Sequence, residues 1–206
     1  MKAKPSYKVC RRLGAGVYDK CQSQKYVLSE ARHAKNFRAG RRRNISDYGK
    51  QLLEKQRIRF AYGVSEKQLR KYVEEANRVA ILGTDPKERM IEQLEMRLDN
   101  VVYKLGFAPS RRAARQLVSH GHVEVNGTRV SVPSMQVKEE NVISVRGRTK
   151  NLPIMEKIKD GIEHANLPAW ITFNMKKFEG KITARPTLEN TETPGAVAAI
   201  LEYYSR

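Results

Sequence analysis

Few residues of this chain have both the type and the spacing that chemistry needs. Cys10 and Cys21 stand eleven positions apart. A structural zinc commonly takes four ligands, with cysteines paired two to four apart. The expectation is two ordinary cysteines, no metal and no cofactor. The histidines at 33, 120, 122 and 164 show neither HxxxH nor HExxH spacing. No GxxxxGK[ST] phosphate loop, nucleophile elbow or Cys–His arrangement is present, and Gly14-Ala15-Gly16 reads as a flexible spot. What remains in quantity is cationic. Forty Lys and Arg stand against 22 Asp and Glu, a formal net charge of +18 over 206 residues. A charge that large favours a polyanionic partner.

The charge is uneven. Residues 1–60 carry +13, 61–100 carry −1, 101–150 carry +6 and 151–206 carry zero. Two separate basic regions, each with foldable elements, point to nucleic acid. No run of 18 apolar residues suggests a membrane span, and the first residues show no apolar stretch of a secretory signal. Two cysteines cannot make a disulfide framework, which fits a reducing, cytoplasmic setting.

The elements that would carry these cations can be read from caps and periodicity. Residues 1–43 show no sustained period and end in Arg41-Arg42-Arg43, so an irregular basic arm is expected. Ser46 should cap a helix to about Tyr62, with Leu52, Leu53, Gln56 and Phe60 as its packed stripe and Lys50, Lys55, Arg57 and Arg59 at its edges. Ser65 opens a helix over about 66–80, and Asp85-Pro86 starts a third that runs to Leu105. On that third helix Arg97 and Lys104, seven apart, would share the edge of the apolar stripe. Ser110 caps a helix over 111–119, with Arg111, Arg112, Arg115, Gln116 and Ser119 on one arc and Ala113, Ala114, Leu117 and Val118 on the other.

Asn126-Gly127 then predicts a type I′ hairpin between His122–Val125 and Thr128–Val132. Short strands follow near Gln136-Val137 and Val142–Arg146. A helix near 154–165, a second hairpin from Trp170–Asn174 and Lys181–Arg185, and a short final helix after Thr193-Pro194 complete the pattern. Helices followed by short strands make an α+β module. His120 and His122, beside the basic helix, read equally as contacts to phosphate or base edges or as plain surface histidines. Tyr48 and Tyr62 read equally as residues that stack or hydrogen-bond with a partner or as core residues.

Several stretches together resemble the bacterial small-subunit ribosomal protein four family. They are Ser46–Gln56 with Tyr62–Gln68, Arg97–Phe107 followed by Ser110–Gly121, His122–Pro133 with Val125-Asn126-Gly127, and the ending Glu202-Tyr203-Tyr204-Ser205-Arg206. The middle stretch alone is similar to the small RNA-binding module that pseudouridine synthases and tyrosyl-tRNA synthetases share. The flanks single out the ribosomal family.

The resemblance implies a mainly helical domain built from N- and C-terminal segments around an inserted α+β RNA-binding module. The expected organisation is an arm over 1–45, the first helical part over 46–95, the module over 96–160 and a closing segment over 161–206. It implies a primary binder of small-subunit ribosomal RNA that nucleates assembly and influences decoding accuracy. Its expected partners are that RNA, small-subunit ribosomal protein five and messenger RNA near the entry channel, with no membrane. The RNA-binding residues would be Arg41, Arg42, Arg43, Tyr48, Lys50, Lys55, Arg57, Arg59, Arg97, Lys104, Arg111, Arg112, Arg115, Gln116, His120, His122 and Asn126. Some relatives carry a four-cysteine zinc site in the arm. Cys10 and Cys21 match its second and third ligands, while Tyr7 and Tyr26 fall where the first and fourth belong, so the site is read as lost. The family's Pro-Pro-Gly-Gln-His-Gly turn is replaced by about 35–40.

Arg97-Leu98-Asp99 has the order of the catalytic signature of pseudouridine synthases. An RNA-modifying enzyme carrying the same module is therefore the alternative. It would need a separate catalytic domain, and only about 95 residues precede the module and about 45 follow it. In a structural protein Asp99 should matter only locally. A membrane-surface binder would want bulky apolar residues behind the 111–119 helix, where mostly alanine stands.

Overall fold

Side-chain oxygens start four of the helices. Ser46 Oγ accepts from Gly49 N at 3.2 Å, Ser65 Oγ from Gln68 N at 3.2 Å, Asp85 Oδ1 from Lys87 N at 2.8 Å and Ser110 Oγ from Ala113 N at 3.2 Å. They open α3 (Asp47–Ala61), α4 (Glu66–Ala80), α5 (Pro86–Glu95) and α7 (Arg111–Ser119). The computed structural model describes residues 6–35, 45–81, 83–147, 149, 156, 158–159, 162, 167–175, 177–191 and 193–205. The chain divides into two units, residues 1–78 with 193–206, and residues 79–192.

The first unit begins with α1 (Tyr7–Leu13) and α2 (Gln24–Lys35), joined by two short 3-10 turns. This corrects the irregular arm over those residues. The ordering comes from a small core: Cys10 and Cys21 join as a disulfide with Cα atoms 6.0 Å apart. Buried Tyr26 packs on them with Tyr7 and Tyr18. The expectation of two ordinary cysteines is corrected with it. Residues 36–44, with Arg41, Arg42 and Arg43, lie outside the described residues.

The unit closes with α8 (Val197–Tyr204), which packs on α3. The buried residues of α3 are Gln51, Lys55, Ile58 and Ala61, not the stripe of Leu52, Leu53, Gln56 and Phe60. The reason is that α8 brings Glu202 and Tyr203, and the start of α4 brings Glu66, to the 51–55 face. Gln51 Nε2 donates to Glu202 at 2.9 Å, and Lys55 Nζ donates to Glu66 at 2.6 Å while lying 4.2 Å from the Tyr203 ring centre. Glu54 Oε2 accepts from Ala196 N at 2.9 Å, placing a carboxylate at the start of α8.

In the second unit the expected helix over 86–105 is two helices, α5 and α6 (Leu98–Lys104). The break has a physical cause in the strand-like chain at 133–137. Leu98 N donates to Met135 O at 2.9 Å, Asp99 N to Pro133 O at 3.0 Å and Val137 N to Met96 O at 2.9 Å. Gln136 pairs with Arg97 in an isolated bridge, and its side chain caps Gln93 O at 2.9 Å. Leu98 N, Asp99 N, Met96 O and Gln93 O, left without helical partners by the break, are thus satisfied.

Strands β1 (Val123–Val125), β2 (Thr128–Val130), β3 (Val142–Val145), β4 (Ile171–Asn174) and β5 (Glu179–Ile182) form one antiparallel sheet in the order β2-β1-β3-β5-β4. Asn126 and Gly127 turn the first hairpin with φ of 51° and 75°. Strands β4 and β5 therefore complete the module's sheet, which corrects the module's end at 160 and the assignment of 161–192 to the helical domain. Pairing of Ile143 with Gly180 joins them to β3. Leu98, Val101, Val102, Leu105, Leu117, Val118, Ile143 and Trp170 share the core. Most of the helix expected near 154–165 lies outside the described residues, but Ile158 and Ile162 are buried in that same core.

Candidate nucleic-acid interface

The 111–119 helix is amphipathic as the sequence requires: Ala114, Leu117 and Val118 are buried, while Arg112, Gln116, Ser119 and His120 are exposed. Its other two arginines are anchored. Arg111 Nε donates to Asn100 Oδ1 at 2.8 Å, and its guanidinium lies 4.7 Å from the centre of the Tyr103 ring. Arg115 Nε donates to Asp99 Oδ2 at 2.8 Å, and Arg115 Nη2 reaches the same oxygen. The side chain of Arg115 keeps 17% of its surface exposed.

Beyond α7, His122 is half-buried, with Nδ1 2.9 Å from Thr149 Oγ1, and its ring centre lies 6.3 Å from that of His120. Asn126 is exposed at the hairpin tip, where its Oδ1 accepts from Val142 N at 2.8 Å. Lys104 is half-buried in the last turn of α6. Arg129, not among the residues expected from sequence, is an exposed strand residue whose guanidinium crosses Gly121. A β-carbon at Gly121 would lie 2.2 Å from Arg129 Nε, and Gly121 holds φ of 72°. The signal was in the hairpin: an arginine at the solvent-facing position of a strand leading back past the basic helix.

Arg97 is a correction. It is 2% exposed, with Nε 3.0 Å from Asp99 Oδ1 and Nη2 2.9 Å from Asp99 Oδ2. The helix break turns it inward, so it does not share a surface edge with Lys104. Asp99 is a correction too, since a 3% exposed carboxylate between two guanidiniums is more than a local feature.

In the first unit the predicted cations are mostly engaged with acids. Lys55 is 5% exposed on Glu66, which withdraws it from the surface. Arg59 reaches Glu66 at 2.9 Å, Arg57 reaches Glu54 at 2.8 Å and Leu13 O at 2.7 Å, and exposed Lys50 reaches Asp47 at 2.9 Å. Tyr48 is 51% exposed, its hydroxyl 3.2 Å from that of Tyr203. Tyr62 is core. Burial opposes ionisation of Glu66, but hydrogen bonds from Lys55, Tyr204 and Arg59 outweigh it and hold the carboxyl below its ordinary range. Burial, then the hydrogen bond to Glu66, pushes the Tyr204 phenol up.

The arm does not suit the four-ligand zinc site that the resemblance implies for part of the family. Its two sulfurs are bonded to each other, and Tyr7 and Tyr26, whose ring centres lie 5.4 Å apart, occupy the flanking positions as an aromatic pair. Among the described residues no group of three or more His, Cys, Asp or Glu could hold a metal, and no helix is long and apolar enough to cross a membrane.

Comparison with known proteins gives two family matches: the ribosomal protein S4/S9 N-terminal domain over residues 2–95 and the S4 domain over residues 96–143. The small ribosomal subunit protein uS4 of a Thermoanaerobacter species is 42% identical, covering 98% of this chain and 97% of its own length. That of Geobacillus kaustophilus is 44% identical over the same shares, and uS4A of Clostridium novyi is 43% identical over 97% of this chain and 96% of its own.

Proposed function

Since the chain belongs to the small ribosomal subunit protein uS4 family, we propose that it is a structural constituent of the small ribosomal subunit that binds ribosomal RNA directly. The observation that carries this is similarity to uS4 proteins over nearly the whole chain, arm, module and closing helix included. These relatives are ribosomal proteins, not enzymes, and the RNA-modifying alternative falls with that.

RNA is held mainly through phosphates, with shape setting the site. The α7 face supports this with Arg112, Gln116 and His120 at the surface and Arg111 and Arg115 at its margin. The finer role is early binding that nucleates subunit assembly, a place beside ribosomal protein five near the messenger entry, and an effect on decoding accuracy. The working location is the cytoplasmic ribosome.

Crosslinking in a lysate of the source cells, with sequencing of the captured RNA, tests the reading. Small-subunit ribosomal RNA should dominate the captured fragments. Capture of another RNA class in its place refutes it. In reconstitution, omitting this protein should block the binding of later proteins to that RNA; unaffected assembly removes the nucleating role.

A further inference from the structure

Behind the outward face of α7 lie Glu95, Arg97, Asp99 and Asn100, exposed by 0%, 2%, 3% and 1%. An RNA cannot reach them, yet their hydrogen bonds end on the residues it would meet. Asp99 and Asn100 are consecutive on α6, and Arg115 and Arg111 are one turn apart on α7. Each of the first pair holds one of the second: Asp99 the Arg115 Nε at 2.8 Å, Asn100 the Arg111 Nε at 2.8 Å. Asn100 is itself fixed, its Nδ2 donating to Glu95 Oε2 at 2.8 Å and to Glu95 O at 3.0 Å.

A buried carboxylate is an odd neighbour for a polyanion-binding face. It is costly to desolvate, and its charge subtracts from that of the arginine it holds. Arg97 resolves the second problem. It pairs with Asp99 from inside, so that Arg97, Arg111 and Arg115 together outnumber the buried Glu95 and Asp99 and the cluster stays net positive. An apolar residue at 99 could fill the space, but it could not fix the plane of a guanidinium. A carboxylate accepting from the Nε edge does so, because that geometry is directional.

We propose that Asp99 and Asn100 are positioning residues of the RNA interface: they set the planes of Arg115 and Arg111 before RNA arrives. Ordering a free arginine is costly, and pre-ordering moves that cost from binding into folding. The proposal rests on the reading of α7 as an RNA-contacting face.

Double-mutant cycles on the full chain test it, using its own small-subunit ribosomal RNA transcribed in vitro. Binding is measured at a temperature where circular dichroism shows every variant folded. Asp99→Asn and Asn100→Ala should each weaken binding by roughly three- to tenfold. In an Arg115→Gln background, Asp99→Asn should add less than about twofold, and Asn100→Ala should add as little in an Arg111→Gln background. A merely structural role would cost the same factor in both backgrounds, and that additivity overturns the proposal. Should Asp99→Asn fail to fold, the Asn100–Arg111 cycle decides, since it removes no charge from the core. The underlying reading fails differently: Arg111→Gln and Arg115→Gln would then leave both affinity and its salt dependence unchanged.

Discussion

Asp99 is buried, 3% exposed, one residue into α6. Its carboxylate sits between Arg97 and Arg115 in the interior. Asp99→Asn would turn an amide toward two guanidiniums and leave Arg97 buried without its counter-charge. Removing one partner of a buried pair costs about 3–5 kcal/mol. Leu98→Ala beside it, a buried truncation, costs about 2–5 kcal/mol. Urea unfolding should therefore rank the two substitutions as comparable. A loss below about 1 kcal/mol for Asp99→Asn would show that the network is idle. The disulfide makes a second residue-level prediction. Closing a loop of this size stabilises by roughly 2–4 kcal/mol, so reductant should lower the melting temperature of the parent chain. The Cys10→Ser, Cys21→Ser double variant should already melt low and ignore reductant. An unchanged parent melt on reduction would mean the aromatic core holds the arm alone.

Among the elements, the α3–α8 pair and the module's sheet each hinge on one close fit. Glu66 gathers Lys55, Arg59 and Tyr204. Its folded pKa is depressed, so its contribution is present above its unfolded value near 4.5 and is lost as pH falls through the folded one. The Tyr204 phenol, raised in the fold, works the other way: its contribution is complete below about pH 10 and fades only above that. Melting should thus fall on acidification below about pH 4.5 more steeply in the parent than in Glu66→Gln, and equal slopes would exclude a stabilising role for the Glu66 carboxylate. In the sheet, Gly180 lies so close to α6 that a β-carbon would sit 2.3 Å from Leu105 Cδ2 and 2.7 Å from Cδ1. Leu105 is fully buried and cannot swing away. Gly180→Ala should cost about 1–3 kcal/mol by overpacking, readable as a lower urea midpoint. A neutral result would mean that β5 can shift off α6.

For the whole molecule, a net charge of +18 makes salt the natural probe. Arg112 is the cleanest test, because it is exposed and Gln keeps the helix. Arg112→Gln should make the slope of log K against log salt shallower by roughly 0.7–0.9, one phosphate contact, with no change in melting. An unchanged slope would take Arg112 out of the interface.

Caps, the Asn126-Gly127 turn and the amphipathic 111–119 helix were legible from sequence because each depends on groups within a few positions. The Ser46, Ser65, Asp85 and Ser110 oxygens needed only the next turn of their own chain. Net charge and the α+β class were legible for the same reason, being sums over local patterns. Burial of cations was not. Lys55 reads as a surface lysine until Tyr203 arrives from 148 positions away, and Arg97 as an edge residue until the chain at 133–137 breaks its helix. Hydrophobic periodicity assigns charges to the outside because an unpaired charge is costly inside. Whether a partner waits there is settled by long-range packing, and that is where Lys55, Arg97 and Asp99 acquired their roles.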